Sequence, residues 1–312
     1  MQTVVEIQFD AADISGGADA ILGPSQCEKE VVKIAHYKIL GRIDVTLQLD
    51  NNDARVPKLL ALLADAGAKA WINRNDIYTE DELQAARLLF VSNWIDASAW
   101  GGPRFGTTYD MSQACPTCAT GARQTSPLIV GDIELRTVEK HRVASTNHAD
   151  LLIRDTDVER LIAANITGAV FWPASVKRKS GEISELRWQQ AVIEHVMPPM
   201  AASSYLDRKG VCPTCHRGGF TGVSDQPLRI TYRAEDLANI HDFNRTWEWL
   251  GEYGTTEEEV QQGRWSHPGV LVTPKVMNLL RAKTKKEAKY QGCDFIPVWL
   301  EDEKHEQPYL QT

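Results

Sequence analysis

Two identical four-residue motifs constrain the fold of this chain more than any other feature of its sequence. Cys-Pro-Thr-Cys occurs at positions 115–118 (knuckle 1) and again at positions 212–215 (knuckle 2). The two thiolates of a Cys-x-x-Cys turn lie close enough to bind one metal ion, and structural Zn²⁺ takes four such ligands in a tetrahedron. One knuckle supplies half of that set and two complete it. The sequence therefore predicts one structural zinc ion per chain, bound by Cys115, Cys118, Cys212 and Cys215.

Both knuckles lie in segments with the composition of loops. Residues 97–126 and 198–227 are rich in Gly, Ser, Thr and Pro, which favour turns over regular structure. Neither segment has enough apolar residues to fold unaided, so metal binding gives both a physical reason to be ordered. A proline stiffens each turn, and we expect Gly121 and Gly218 to let the backbone turn back beneath the metal.

Four landmarks recur in the same order after each knuckle, which favours an internal repeat. They are Cys-Pro-Thr-Cys-x-x-Gly, Pro-Leu, a histidine three residues before an aliphatic triplet, and Gly-x-x-Phe-x-Pro. In copy 1 they occupy 115–121, 127–128, 148–153 and 168–173, and in copy 2 they occupy 212–218, 227–228, 267–272 and 292–297. The second copy is longer, and the extra residues are expected within 245–265. A pseudo-twofold arrangement of the copies would bring the knuckles together.

The predicted fold is α/β (α+β): an N-terminal α/β unit followed by two tandem α/β repeats, each opened by a knuckle, that share one zinc. Period-two alternation predicts strands at 4–9 and 43–49, and an apolar run with helical spacing predicts a helix at 56–66. Further predictions are a short strand at 69–72, a buried strand at 88–91 and helices at 155–164 and 274–288. The predicted domains are 1–96, 97–200 and 201–312.

Other interpretations of the cysteines and histidines remain open. A redox Cys-x-x-Cys would normally lie between a strand and a helix, whereas these motifs lie in loops. Separate zinc sites would need histidine, and His148, His267 and His216 are the candidates. A catalytic zinc needs an open coordination position, which a set of four cysteines does not leave. Cys27 and Cys293 have no partner motif, and Cys293 is expected to be a small buried residue.

No sequence motif in the chain predicts catalysis. There is no Walker loop, no Gly-x-Gly-x-x-Gly after a strand and no Gly-x-Ser-x-Gly. His241-Asp242 resembles a metal-hydrolase pair, but no second histidine cluster accompanies it. We therefore expect a protein that is not an enzyme.

Charge and hydropathy limit the partners and the location. The formal net charge is −8 and the pI is about 5.5, which makes nucleic acid an unlikely partner because phosphate binding needs a basic face. The one local basic run, at Lys283, Lys285, Lys286 and Lys289, is typical of a solvated helix face. No secretory signal or membrane span is evident, so we expect a cytoplasmic protein whose cysteines stay reduced.

The knuckles and the segments that follow knuckle 2 resemble the bacterial double-CXXCG proteins over roughly residues 110–300. The matching residues are the four knuckle cysteines, Asp242–Arg245, Leu271–Val276 and Gly292–Val298. Ala119 and His216 stand where that motif has glycine, and the glycines come two places later. Members of the family are immunity proteins encoded beside polymorphic toxins. The resemblance implies a non-enzymatic zinc-binding protein that binds and neutralises a cognate toxin.

Two alternative functions remain open at the level of sequence. A zinc-ribbon adaptor in a phage or nucleic-acid-associated system would show a clustered basic face. An enzyme with an unrecognised site would show a cleft lined by ionisable groups with shifted pKa values. Trp247, Trp249 and Trp265, which occur near several glutamates, predict a partner surface, with burial in the core as the alternative. The sequence specifies neither the toxin, the binding face nor the oligomeric state.

Overall fold

Strands and short helices alternate along the chain, which confirms the predicted mixed α/β class. The computed structural model describes residues 1–37, 39–93, 98–132, 135–254, 256–281 and 291–301. They form two compact units, one of Met1–Thr79 with Gly222–Leu228 and one of Glu80–Thr221 with Arg229–Thr312. Among the described residues, no helix is long and apolar enough to cross a membrane.

The first unit is a four-stranded antiparallel sheet with two helices. Its elements are β1 (Gln2–Asp10), α1 (Asp19–Ser25), β2 (Val31–Tyr37), β3 (Arg42–Asp50), α2 (Arg55–Asp65) and β4 (Ala70–Ile77), and the strand order is β2-β3-β1-β4. The predicted strands at 4–9, 43–49 and 69–72 and the predicted helix at 56–66 are confirmed within one or a few residues. Alternate residues of β1, including Val5 and Ile7, share a core with Leu59 of α2, as expected when one sheet face packs on an amphipathic helix.

The second unit contains two six-stranded sheets. Its elements are α3 (Glu80–Ala85), β5 (Leu89–Asn93), β6 (Ser98–Ala99), β7 (Tyr109–Asp110), β8 (Arg123–Gln124), β9 (Ile129–Gly131), α4 (Leu135–Val138), β10 (Val143–Thr146), β11 (Leu151–Arg154), α5 (Asp155–Ala163), β12 (Ala169–Lys177), β13 (Ile183–Ile193), β14 (Leu206–Asp207), β15 (Gly218–Gly222), β16 (Thr231–Tyr232), β17 (Phe243–Leu250), α6 (Glu257–Gln261), β18 (His267–Val272), α7 (Pro274–Leu280), β19 (Cys293–Pro297) and β20 (Trp299–Leu300). The orders are β6-β10-β11-β13-β12-β9 and β14-β15-β17-β18-β5-β19, with β7-β8 and β16-β20 as separate pairs.

Each six-stranded sheet contains a strand from the segment that precedes the other knuckle. β5 precedes knuckle 1, yet it lies between β18 and β19, which follow knuckle 2. β13 precedes knuckle 2 and lies between β11 and β12, which follow knuckle 1 as β13 itself does. The strand predicted at 88–91 is therefore present, but in the second unit. The sheet with β5 therefore combines a strand from before knuckle 1 with strands from after knuckle 2, whereas all six strands of the sheet with β13 lie within residues 98–193.

The two sheets use the same pairing register around β13 and β5. Phe171 pairs with Ala191 in one sheet and Phe295 pairs with Val91 in the other. The neighbouring ladders also correspond, with Leu152 opposite Gln190 and Ala144, and Leu271 opposite Phe90 and Asn244. A slip of one residue would turn every side chain of a strand to the opposite face of the sheet. Because the registers are equal, residues at matching positions of the two sheets point to equivalent faces.

Two glycines at matching positions allow the backbones of the two sheets to come into close contact. Gly168 and Gly292 both have positive φ, at 87° and 90°. A Cβ on Gly168 would overlap the carbonyl oxygen of Phe243, and a Cβ on Gly292 would overlap that of Val143. The adjacent backbone bonds correspond too, from Phe243 N–H to the Thr167 carbonyl and from Val143 N–H to the Gln291 carbonyl.

The helices near the ends of the two copies agree in part with expectation. The helix predicted at 155–164 is confirmed as α5. The helix predicted at 274–288 begins at Pro274 but ends at Leu280, because Arg281 has extended backbone with ψ of 145°. The remainder of that prediction, and the lysines at 283, 285, 286 and 289, lie outside the described residues.

Candidate metal centre and adjacent cleft

The structure brings the two knuckles together although 93 residues separate them in sequence. The Sγ atoms of Cys115, Cys118, Cys212 and Cys215 all lie within 4.8 Å of one another. Cys115 Sγ is 3.8 Å from Cys212 Sγ, and Cys118 Sγ is 3.5 Å from Cys215 Sγ. All four cysteines are free, since these separations far exceed the roughly 2.05 Å of a disulfide.

The sulfur positions fit a tetrahedral metal ion. A Zn–S bond of about 2.3 Å sets the edge of an S₄ tetrahedron at about 3.8 Å, which is close to the two measured separations. Three of the cysteines are buried and Cys215 is partly exposed. Four thiols that lie this close together are a typical donor set for a soft divalent cation.

The two knuckle turns have the same backbone conformation. Ala119 N–H donates to the Cys115 carbonyl at 2.9 Å, and His216 N–H donates to the Cys212 carbonyl at 3.0 Å. Ala119 and His216 are both left-handed, with φ of 58° and 55°. The turn that the sequence placed at the later glycines thus occurs directly after each second cysteine. This is the position at which the double-CXXCG motif has glycine, and glycine adopts this conformation without steric cost.

Gly218 is needed for space rather than for its dihedral angles. A Cβ at this position would approach Thr120 Oγ1, Ser266 Oγ at 2.8 Å and Cys118 Sγ at 3.1 Å. Ser266 Oγ is buried and has no hydrogen-bond partner among the described residues. A hydroxyl group in this place can donate to a metal-bound thiolate, which is the usual role of outer-shell groups around a metal. The correction to the sequence expectation is that only Gly121, with φ of 96°, acts through its backbone.

The electrostatics of the cluster favour a bound cation. Burial raises the pKa of the Cys118 thiol, although the hydroxyl of Thr120 lies within hydrogen-bond distance of it at 3.1 Å. Burial also opposes ionisation of Cys212, but backbone N–H groups of Cys215 and Thr214 and the Cys118 thiol lower its pKa to about 7. Without a metal, four such neighbours would not all ionise together, whereas a divalent ion removes this repulsion.

The candidate histidine ligands lie elsewhere. His148 Nδ1 and His267 Nε2 are 3.2 Å apart and form a hydrogen bond to each other. His216 is exposed. Within the described residues, the four knuckle cysteines are the one group of three or more possible ligands with metal-site geometry. The structure therefore supports the arrangement with one shared site over separate sites that use histidine.

Comparison with known proteins identifies no family for this chain. A scan against models of protein families gives no match, and a search of curated proteins gives no relative. The chemistry of the site is therefore inferred from its own residues.

A cavity of about 510 Å³ lies beside the knuckles and is lined by residues of both six-stranded sheets. Several groups on its wall have strongly shifted pKa values, because burial raises the pKa of Tyr109 and lowers that of His267. Burial raises the pKa of Asp150 to about 6, against hydrogen bonds from Thr146 and Gln190. Burial lowers the pKa of His148 to about 4. Sequence reasoning missed this cavity because its wall combines short segments that are more than 100 residues apart, and no local motif marks them.

The tryptophans near the end of β17 are divided between core and surface. Trp249 and Trp265 are buried, while Trp247 is partly exposed and lies 4.8 Å beneath the Arg217 guanidinium. Glu252 and Glu258 are exposed. Of the three tryptophans proposed for a partner surface, only Trp247 can contact a partner directly.

The remaining candidate residues have structural surroundings. Cys293 is fully buried, as predicted. Asp242 accepts hydrogen bonds from Thr167 N–H at 2.9 Å and Thr273 Oγ1 at 2.8 Å. These contacts join β17 to the turn before β12 and to the start of α7, so the carboxylate of the His241-Asp242 pair is already used in packing.

Proposed function

We propose that this protein is a non-enzymatic binding protein built from two related α/β copies that share one structural zinc ion. The observation that carries the proposal is the convergence of four cysteine sulfurs within 4.8 Å, with each knuckle contributing two. A closed set of four thiolates leaves no coordination position for water or substrate, so the expected role of the metal is to hold the fold together.

The duplication is supported by contacts between residues at matching positions. Thr117 Oγ1 and Thr214 Oγ1 are 2.7 Å apart, and His148 contacts His267, its counterpart in the other copy. Residues at equivalent positions of two copies meet only where a twofold axis passes between them. The equal registers of the two sheets support the same conclusion.

We further propose that the partner is a cognate toxin and that the protein acts as its immunity protein in the cytoplasm. This step depends on the resemblance to the double-CXXCG proteins, to which the paired knuckles contribute most. The half-buried Trp247 and the exposed glutamates nearby supply the aromatic anchor and the charged rim that tight interfaces use.

Co-expression with the products of the neighbouring genes tests this function. We expect one of these products to arrest growth alone, and this chain to restore growth and to form a stable complex with it. Trp247→Ala should weaken the complex by about 2 kcal/mol if Trp247 is an anchor, while the matched variant Trp249→Ala should mainly lower the melting temperature. If no neighbouring product is toxic or bound, the immunity proposal fails and the zinc proposal stands.

An enzyme is the second candidate, and one observation favours it. The cavity beside the knuckles has ionisable groups with shifted pKa values on its wall, which is typical of active sites. A nucleic-acid adaptor has less support, because the net charge of −8 is opposite to the basic face that phosphate binding needs.

A further inference from the structure

The cavity beside the knuckles contains two arginines that form no ion pair with an acid among the described residues, although Glu194 acts on Arg245 and Glu248 on Arg217 through space. Arg245 lies on β17 and Arg217 lies just after knuckle 2, and both line the cavity. Among the residues that the structure describes, the Arg245 guanidinium makes no hydrogen bond and no ion pair. Burial lowers its pKa, and the charge of Arg217 lowers it further. A partly buried guanidinium without a partner is costly, so its five donors are available to a ligand.

Arg217 is held in place by uncharged groups. Its Nε and Nη2 atoms both donate to the Trp247 carbonyl at 3.3 Å, and its guanidinium stacks on the Trp247 ring. These contacts fix the orientation of the side chain without neutralising its positive charge. The described part of the cavity wall therefore presents two neighbouring guanidinium groups, the arrangement that proteins use for carboxylates and phosphates.

The three acids on the same wall form no ion pair with either arginine within the described residues. Asp110 accepts from Ser112 N–H at 2.9 Å and interacts with Arg123. Asp150 accepts hydrogen bonds from Thr146 and Gln190. Glu194 interacts with Arg245 only through space and is exposed. The two guanidinium groups therefore lie together without an ion-paired acid, although the chain as a whole carries a charge of −8.

Aromatic and aliphatic side chains complete the wall. Trp172, Trp249 and Val270 line the cavity together with the two arginines. A volume of about 510 Å³ is in the range of small-molecule sites, which combine apolar walls with a few polar groups that fix orientation. We propose that this cavity binds a small organic anion, with its carboxylate or phosphate on Arg245 and Arg217 and a flat apolar body against Trp249. The site is separate from the metal centre and does not depend on the proposed partner.

Isothermal titration calorimetry with three ring compounds tests the site. The probes are benzoate, phenyl phosphate and benzamidinium, which share a phenyl ring but differ in the charge and shape of the head group. We expect saturable binding of at least one anion by the zinc-loaded protein and none of the cation. The tighter of the two anions identifies the head group as carboxylate or phosphate.

Two arginine variants and one matched control locate the site. Arg245→Gln should weaken anion binding about tenfold or more, because a charge-assisted hydrogen bond is lost. Arg123→Gln removes an exposed arginine from the same wall, whose charge is screened by water, and should change affinity less than about twofold. Zinc content and melting temperature report whether each variant is folded. If Arg245→Gln does not fold, Arg217→Gln is measured in its place. Absence of anion binding by the wild type, equal binding of the cation, or unchanged affinity in the folded arginine variants would overturn the proposal.

Discussion

Ala119 and His216 show how single residues set the shape of each knuckle. Both adopt the left-handed conformation directly after the second cysteine, and a non-glycine residue there costs roughly 1–2 kcal/mol. The sequence departs from the double-CXXCG motif at these two places, and the structure shows that the backbone conformation a glycine would favour is nonetheless present. The knuckles therefore carry local strain that metal binding must offset.

Replacing Ala119 or His216 by glycine should relieve this strain. We expect each variant to be stabilised by on the order of 1 kcal/mol, after the entropy cost of a new glycine in the unfolded chain is subtracted. The measurement is the free energy of unfolding in denaturant with zinc present. As a control, Ala122→Gly, just past knuckle 1 and not among the left-handed residues, should destabilise. Loss of stability in both knuckle variants would show that the turns are not strained.

The His148–His267 pair requires both rings to be neutral. Gly101 N–H donates to Asn147 Oδ1 at 3.0 Å, which leaves the Asn147 amide NH₂ facing His148 Nε2 at 3.1 Å. His148 Nε2 is then an acceptor, so His148 donates from Nδ1 to His267 Nε2. A proton on His148 Nε2 would face the Asn147 amide NH₂, and a proton on His267 Nε2 would face the His148 Nδ1–H group. Burial also lowers the pKa of both histidines below 6.5.

This pair should make stability fall with acid. Unfolded histidines take up protons near pH 6.5 and the folded pair resists until about pH 4 for His148, so stability is full above about pH 6.5 and declines below it. The slope is at most about 1.4 kcal/mol per pH unit for each histidine. Melting curves between pH 7.5 and 5.5, with zinc content checked, should flatten in the His148→Gln/His267→Gln variant and not in the exposed control His36→Gln. An equal slope in all three proteins would contradict the assignment.

Among the secondary-structure elements, the strands β5 and β13 occupy matching places in the two six-stranded sheets of the second unit. β5 lies between β18 and β19, so the sheet that contains it cannot form from one contiguous segment, whereas all six strands of the sheet that contains β13 lie within residues 98–193. The turn at Gly168, before β12, packs against Phe243 at the start of β17, and the turn at Gly292, before β19, packs against Val143 at the start of β10. Such non-local pairing is slow to form because loop closure precedes the stabilising contacts.

Substitution of Gly168 and Gly292 by alanine tests whether the two turns make equivalent close contacts. Gly168→Ala and Gly292→Ala should lose similar amounts of stability, because each Cβ would overlap a carbonyl oxygen of the opposite sheet. Gly181 has φ of 89° with nothing within 4 Å of a Cβ, so Gly181→Ala measures the backbone cost alone. We expect both test variants to lose at least about 2 kcal/mol more than this control in denaturant unfolding. Equal losses at all three positions would show that the close approach is not important.

Local patterns predicted the elements that have one exposed and one buried face, but not the pairing between distant elements. Alternation identified β1 and β3, and helical spacing identified α2 and α5, because each pattern reflects burial of the segment itself. The sheet to which β5 belongs is set by contacts with residues about 180 or more positions away, which no local period records. The metal cluster was predictable since the Cys-x-x-Cys spacing encodes half of a site. The arginine-lined cavity was not, because its wall exists only once both sheets have formed.

For the whole molecule, the central inference is that one metal ion joins the two halves of the second unit. Native mass spectrometry of zinc-loaded protein tests this most directly, with the double variants Cys115→Ser/Cys118→Ser and Cys212→Ser/Cys215→Ser. A shared site predicts one zinc in the wild type and none in either variant, since two thiolates alone do not make a structural site. Chelation should also lower the melting temperature of the wild type. Two zinc ions in the wild type and one in each variant would contradict the shared site.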